Sequence, residues 1–225
     1  MNYNLLFLTI SIAGVNWLAS SKEWKILVYI TKPGAILVLL AWLWQASQFQ
    51  GNTKWFAIAL IFSIAGDILL MIPRKQFIAG LISFLLAHTA YTIGLISSIA
   101  EFNLASFFVT ILVGITALRF FKRVAASLHA SAQKKMAIPI FAYIMVLGVM
   151  VTAALMTLVV PTWNTWASLI TSAGALFFLI SDSWVAWDRF VTPLKNRDLR
   201  IMVTYHCGQI GLILGAVLNF IVLEQ

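Results

Sequence analysis

Long apolar runs separated by short polar segments make up almost the whole of this chain. Runs of about 17–25 residues with few charges have the length that a helix needs to cross a bilayer. Because they are too long and too uniformly apolar for barrel strands, and because backbone in lipid must satisfy its own hydrogen bonds, we predict helices. We predict one all-α transmembrane domain over residues 1–225, a polytopic bundle of eight helices. Their predicted ranges are 3–20, 26–44, 54–72, 76–98, 101–119, 136–159, 163–187 and 201–223.

Composition supports a membrane protein. Of the 225 residues, 62% are hydrophobic and 10% are charged, whereas soluble domains average about 45–50% and about 25%. The loops between the runs are too short for a sizeable soluble domain. The single cysteine, Cys207, excludes an internal disulfide and a multi-cysteine metal site. The first 20 residues lack a basic n-region and a small-residue cleavage site, so we expect a retained first helix rather than a signal peptide.

Basic residues concentrate on one side of the predicted bundle. The first, third, fifth and seventh loops hold 13 of the 15 Lys and Arg residues, including Arg74 and Lys75 in the third; Lys54 lies in an even-numbered loop and Lys32 inside a helix. This asymmetry predicts that odd-numbered loops face the cytoplasm and both termini face outward. The net charge of +8 is therefore explained by topology and attraction to anionic lipid, and nucleic acid is not a predicted partner.

Two aspartates, Asp67 and Asp182, lie inside apolar runs. A carboxylate at the centre of a spanning helix costs about 2.5–3.5 kcal/mol on insertion scales, so such residues usually face an interior and indicate function. A structural role, with each aspartate bridging two helices, is the alternative. The segments "LIFSIAGD" and "ALFFLISD" that carry them resemble each other, and this similarity predicts two parallel repeats of four helices.

Polar side chains of six predicted helices lie at similar depths, in the half of the membrane nearer the cytoplasm. These residues are Lys32, Asp67, His88, Tyr143, Asp182, Tyr205 and Gln209. Tyr91 shares the face of His88 at i, i+3, and Gln209 shares that of Tyr205 at i, i+4. We therefore predict one pocket that opens toward the cytoplasm, with both aspartates facing it. His206 points about 100° away from Tyr205 and is less suited to line it.

The chemistry predicted for this pocket is acid–base. Two carboxylates in unequal environments allow one to act as acid and the other as base. Lys32 precedes Pro33, which often kinks a helix; its ammonium either snorkels to the surface or points inward as a cation. His88 with both aspartates is a conceivable zinc site, but the other histidines, His129 in a predicted loop and His206, do not complete it, so we predict no metal.

Several segments together resemble the YhhN-type lysoplasmalogenases. They are "TKP" at 31–33, "SIAGDILLMI" and "FIAGLISFLLAHTAY" within 63–91, "IFAYIM" around Tyr143, "LFFLISDSWVA" at 176–186 and "TYHCGQIGLILG" at 204–215. The resemblance covers nearly the whole chain. One departure is His206, where the family pattern has a second tyrosine after Tyr205, so the role of that position is open.

The resemblance implies an integral membrane enzyme with eight helices. Its activity would be hydrolysis of the vinyl ether bond of lysoplasmalogen to a fatty aldehyde and glycerophosphocholine or glycerophosphoethanolamine, with lysophospholipid, water and membrane lipid as partners and no cofactor. Asp67 and Asp182 would be the catalytic pair. Substrate-binding residues would be Lys32, His88, Tyr91, Tyr143, Ser181, Tyr205 and Gln209. We expect a bacterial inner-membrane protein with its pocket toward the cytoplasm.

Two other classes of protein use similar residues. A proton-coupled transporter or lipid-handling protein would bind protons at the same aspartates, but needs polar groups that continue to the outer face. The outer half of the predicted helices carries almost none, which favours a hydrolase. A purely structural membrane protein is disfavoured by the clustering of polar groups at one depth.

Overall fold

The computed structural model describes residues 2–72, 76–99, 103–131 and 133–222. These residues form eight α-helices and no β-strand. In chain order the helices are α1 (Asn4–Ser21), α2 (Lys25–Ser47), α3 (Thr53–Met71), α4 (Phe77–Ile96), α5 (Leu104–Ala130), α6 (Ala137–Met156), α7 (Thr165–Phe190) and α8 (Arg197–Val217). Short 3₁₀ turns flank α6 at Lys134–Met136 and Thr157–Val159, and π-helical backbone at Leu218–Val222 continues α8.

The predicted fold class is confirmed for the described residues: eight helices are long and apolar enough to cross a membrane. Arg74 and Lys75, the start of the predicted 101–119 helix and the end of the predicted 201–223 helix lie outside the described residues. The orientation of the termini and the internal repeat stay predictions.

The fifth helix differs most from its predicted range. It ends at Ala130 instead of residue 119, so the segment containing His129 is helical and not a loop. The reason is that no Gly or Pro interrupts residues 119–130, and the Ala, Leu, Lys and Arg residues there are good helix formers. The basic residues of this segment therefore project from an extended helix end.

Helix starts and ends are set locally. The Asn103 side chain accepts a hydrogen bond from the Ser106 backbone N–H at the start of α5, and Asn164 accepts one from Trp166 at the start of α7. Each side chain satisfies a backbone donor that the first helical turn leaves without a partner. Pro33 lies inside α2, where its ring cannot donate to the carbonyl one turn earlier.

The closest helix contact joins α7 and α8. A Cβ added at Gly174 would lie 2.6 Å from the Leu212 backbone nitrogen, and one added at Gly211 would lie 2.7 Å from the Gly174 Cα. Only glycine allows two helix backbones to approach this closely, as in small-residue interfaces of membrane helices. This contact fixes α8 against α7, and α8 also packs on α1 and α2.

The α5 helix is the most peripheral of the eight. Its main neighbour is α6, and its buried residues are limited to Ser106, Val124 and Leu128. Large apolar side chains such as Phe108 and Leu112 are exposed, as expected where a helix faces lipid. The polar side chains discussed below lie instead among α2, α3, α4, α6, α7 and α8.

Candidate active site

Three side chains from three helices meet at Asp182 on α7. The Tyr143 hydroxyl of α6 donates a hydrogen bond to Asp182 Oδ2 at 2.5 Å. The His88 Nε2 of α4 lies 3.0 Å from the same oxygen and 3.0 Å from the Tyr143 hydroxyl. One carboxylate oxygen therefore receives two polar partners.

The surroundings of His88 favour one tautomer of its ring. Its Nδ1 atom is enclosed and has no hydrogen-bond partner among the described residues. Leaving an N–H donor without a partner in an enclosed site is costly, and the Nε2 atom faces a carboxylate that accepts hydrogen bonds. We therefore assign the proton of the neutral ring to Nε2, from which it is donated to Asp182.

A second cluster surrounds Asp67 on α3. The Lys32 ammonium of α2 lies 2.9 Å from Asp67 Oδ1 as an ion pair, and the Tyr205 hydroxyl of α8 donates to Oδ2 at 2.8 Å. Lys32 is 9% exposed and points inward, while Asp67 has no exposed surface. The Lys32 nitrogen also lies 5.4 Å from the centre of the Tyr205 ring, a cation–π distance.

The Asp67 cluster continues deeper through a chain of hydrogen bonds. Gln209 Nε2 donates to the Tyr205 hydroxyl at 3.3 Å, and the Tyr91 hydroxyl donates to Gln209 Oε1. Tyr91 and Gln209 are fully buried. This chain orients the Tyr205 hydroxyl toward Asp67, because the amide of Gln209 occupies its other side.

An aromatic side chain connects the two clusters. The Phe178 ring of α7 lies 4.8 Å, centre to centre, from the His88 ring and 5.6 Å from the Tyr205 ring, both edge to face. Phe84 of α4 packs edge to face on Phe178 and on Tyr205. Phe178 and Phe84 thus hold the two polar clusters in fixed relation, and sequence reasoning missed both because apolar rings in a helix give no distinguishing signal.

An apolar cavity of about 310 Å³ opens beside these clusters, in the size range of ligand pockets. Lys32, Tyr143, Asp182 and Tyr205 belong to its polar lining. Most of the remaining wall is apolar and comes largely from α5, α6 and α7. Its lining residues on α6 extend from Ile140 to Leu155, roughly 22 Å along the helix. This shape suits one hydrocarbon chain with its polar end at Asp182.

The two predicted acids differ in their access to this cavity. Asp182 lines it, and its side chain is 14% exposed. Asp67 is enclosed and is separated from the cavity by Lys32 and Tyr205, which do line it. The expectation that both acids face one pocket therefore describes Asp182 directly and Asp67 only through its partners.

The other predicted residues occupy supporting places. Ser181 is buried and its hydroxyl donates to the Ile201 backbone carbonyl at 3.3 Å, which joins α7 to α8. His206 accepts a hydrogen bond at Nδ1 from Trp17 Nε1 at 3.1 Å and lies outside the cavity lining. Within the described residues, no three His, Cys, Asp or Glu side chains lie close enough together to hold a metal ion.

A second, polar cavity adjoins the apolar one. It has a volume of about 620 Å³ and lies beside the loop between α1 and α2, between the first turns of α2 and α8 and the last turns of α3 and α7. The two cavities share Lys32 in their walls. Sequence reasoning assigned Lys32 to substrate binding and placed the other charged residues of this cavity in loops or at helix ends; only the fold shows that they line one cavity.

Known proteins with similar sequences cover most of the chain. "Lysoplasmalogenase TMEM86B" of Homo sapiens is 29% identical over 181 residues, which is 80% of this chain and 71% of the relative. The Mus musculus protein of the same name is 31% identical over 188 residues, 82% of this chain and 73% of the relative. "Uncharacterized membrane protein YhhN" of Escherichia coli O157:H7 is 34% identical over 65 residues, 29% of this chain and 31% of that protein. No solved structure matches this chain significantly.

The model of the YhhN family matches residues 27–216, the range that contains every side chain of both polar clusters. That range is more than half of the chain, and the mouse relative matches 82% of the chain. The resemblance predicted from the sequence motifs is thereby confirmed, and the chain belongs to the YhhN family.

Proposed function

We propose that this membrane protein hydrolyses the vinyl ether bond of a lysoplasmalogen, releasing a fatty aldehyde and glycerophosphocholine or glycerophosphoethanolamine. The observation that carries the proposal is the position of Asp182, a carboxyl group that lines an apolar cavity while Tyr143 and His88 hydrogen-bond to it. Similar proteins of human and mouse are named lysoplasmalogenases. We place the protein in a bacterial inner membrane, with this cavity toward the cytoplasm.

Asp182 in its protonated form donates a proton to the β-carbon of the vinyl ether. The π electrons of the C=C bond form the new C–H bond, and a lone pair of the ether oxygen forms the C=O⁺ bond of an oxocarbenium ion. The carboxylate that remains accepts hydrogen bonds from the Tyr143 hydroxyl and from His88 Nε2–H. Both donors favour the charged form, so they stabilise the product of the proton transfer.

Water completes the reaction. It adds to the carbon of the oxocarbenium ion, and Asp182 takes the proton that this water loses. The hemiacetal then collapses: its C–O bond to glycerol breaks, the glycerol oxygen gains a proton, and the remaining hydroxyl loses one to give the aldehyde. One water is consumed, and Asp182 ends the cycle protonated as it began.

The ion pair between Lys32 and Asp67 prevents the Lys32 ammonium from repelling a cationic intermediate. An unpaired ammonium in the cavity wall would repel the oxocarbenium ion, since like charges interact strongly where the dielectric is low. Asp67 pairs with Lys32 at 2.9 Å and so cancels this repulsion. Asp67 therefore acts on the reaction as a buried counter-ion, whereas Asp182 meets the substrate.

The wall of the apolar cavity favours hydrolysis over proton-coupled transport. A transport path needs polar groups that continue beyond the site toward the opposite face. Beyond Tyr143, the α6 residues in the cavity wall, among them Leu147, Val151 and Leu155, are apolar. An apolar wall of this kind suits a hydrocarbon chain and offers no polar path for a proton.

The test is aldehyde release from a lysoplasmalogen by the purified protein in detergent. We expect turnover by the unaltered chain and a loss of at least about 100-fold in Asp182→Asn, the scale of general acid catalysis. Asp67→Asn is expected to lose activity as well. His129→Gln, at an exposed histidine near the end of α5, should retain full activity and serves as the matched background.

Thermal melting and gel filtration of each variant identify misfolded protein. Absence of aldehyde from the unaltered chain would contradict the proposed reaction. Full turnover by folded Asp182→Asn would contradict the role of Asp182.

A further inference from the structure

The polar cavity next to the apolar one is lined by charges of both signs. Its basic residues are Lys25, Lys32, Arg189 and Arg197, and its acidic residues are Glu23, Asp188 and Asp198. Part of this set is paired internally, since Arg197 lies 3.1 Å from an Asp188 oxygen and 3.2 Å from an Asp198 oxygen. A cavity with cationic and anionic groups close together is complementary to a zwitterion.

Two charged residues at this cavity are available to a ligand. Within the described part of the chain, neither Lys25 nor Glu23 has an ion-pair partner, and both are exposed. Lys25 begins α2, and Lys32 follows it by seven residues on the same helix face, roughly 10 Å further into the bundle. These two ammonium groups therefore mark a path from the cavity mouth to the site at Asp182.

The two cavities together match an amphipathic molecule. They share Lys32, Leu70, Phe77, Val185, Ile201 and Met202 in their walls. A molecule that places a hydrocarbon chain in the apolar cavity thus reaches the polar one without crossing the bundle. Asp182 lies in the wall of the apolar cavity and Lys32 in both, so the bond between chain and glycerol falls near the junction.

We infer that the polar cavity binds the zwitterionic headgroup of a single-chain phospholipid, with the phosphate toward Lys25 and Lys32 and the ammonium toward Glu23. This inference rests on the proposed function for the placement of the glycerol, and it adds the headgroup site. Phosphate groups bind lysine ammonium as a charge-assisted pair, and Glu23 supplies the opposite charge at the mouth. Selectivity for a phosphate-bearing substrate then arises at Lys25, away from the reacting carbon.

The test measures binding without chemistry. The probe is a single-chain phosphocholine lipid whose saturated ether bond is not a vinyl ether, and the reference probe is the same alkyl glycerol without phosphocholine. We expect Lys25→Met to weaken binding of the phosphocholine lipid roughly tenfold, the effect of losing one charge-assisted contact. Binding of the alkyl glycerol should not change.

Two further variants complete the design. Lys22→Met removes an exposed lysine of the same loop that does not line the cavity, and it should bind both probes as the unaltered chain does. Glu23→Gln should weaken binding of the phosphocholine lipid but not of the same lipid with a phosphate monoester headgroup, which lacks the ammonium. Competition by inorganic phosphate and by glycerophosphocholine identifies the recognised group.

Equal weakening of both probes in Lys25→Met, or no weakening at all, would overturn the headgroup site. Displacement of the lipid by inorganic phosphate alone, with no effect of glycerophosphocholine, would also overturn it in favour of a free-phosphate site. Because the probes carry no vinyl ether, the binding results can be interpreted even if the proposed hydrolysis does not occur. Preserved binding with no aldehyde release would retain the headgroup site and reject the reaction.

Discussion

Lys32 and Asp67 form an ion pair 2.9 Å across in which the carboxylate has no exposed surface. The pair joins α2 to α3, and Tyr205 of α8 donates to the same carboxylate. Three helices therefore depend on one enclosed group. A buried pair of this kind is costly to break on one side, because the remaining charge has no compensation.

We predict that Lys32→Met and Asp67→Asn each lower the stability of the protein by on the order of 3 kcal/mol. The double variant removes both charges and should melt at a higher temperature than either single variant. The melting temperatures of the two single variants and the double variant in detergent measure how far the two charges depend on each other. Lys54→Met, at an exposed lysine over Trp55, is the control, and a double variant less stable than both single ones would refute the mutual dependence.

The Tyr143 hydroxyl is expected to contribute to turnover through the Asp182 carboxylate. Removing it in Tyr143→Phe takes away one hydrogen bond to a charged group, about 1.5–3 kcal/mol, so kcat should fall roughly 10- to 100-fold. KM should change little, because the bond strengthens when Asp182 loses its proton. Tyr3→Phe, at an exposed tyrosine, provides the comparison; an unchanged kcat in Tyr143→Phe would remove Tyr143 from the mechanism.

The length of hydrocarbon chain that the protein accepts should depend on the part of the apolar cavity beyond Tyr143. Gly148 lines it on α6, and a Cβ added there would meet Ala117 and Val113 at 3.8 Å, an ordinary contact. Gly148→Leu fills the space beyond that contact, so activity on long-chain substrates should fall while activity on shorter chains persists. Competing two chain lengths in one assay gives the ratio of their kcat/KM values.

Gly114→Leu is the matched control for this change, since Gly114 has open space around it and does not line the cavity. The preference of this variant should equal that of the unaltered chain. A Gly148→Leu variant that loses activity equally on every chain length would place the hydrocarbon elsewhere.

We predict that the contact between α7 and α8 has no space for a side chain at Gly211. A Cβ at Gly211 meets the Gly174 backbone at 2.7 Å, so Gly211→Ala is expected to force the helices apart at a cost of about 1–3 kcal/mol. Its melting temperature in detergent should fall. Gly114→Ala, made where nothing lies within 4 Å, should be neutral or slightly stabilising because alanine favours helix; equal melting of the two variants would refute the close contact.

The fold class was predictable because spanning helices have a fixed length and composition. The end of α5 was not, since apolar character stops near residue 119 while helix propensity continues to Ala130. Hydropathy indicates which part of a helix lies inside the membrane, but not how far the helix continues beyond it.

The sequence predicted which polar residues lie at one depth in the membrane, but not which of them contact each other. The position along each helix places Lys32, Asp67 and Asp182 at a similar depth. It does not indicate which face of one helix packs against which face of another. The division into one cluster around Asp182 and another around Asp67 depends on helix rotation and on Phe178, which packing determines.

Asp182 lies eight residues after Gly174, and Tyr205 lies six before Gly211, so both are carried by two helices fastened together at their backbones. That wall of the cavity cannot part to admit a lipid tail. Another part of the wall comes from α5, few of whose side chains are buried. A lipid tail that entered from the membrane between the α5 side chains would not pass through water, and its rate of arrival would then depend on the fluidity of the surrounding leaflet.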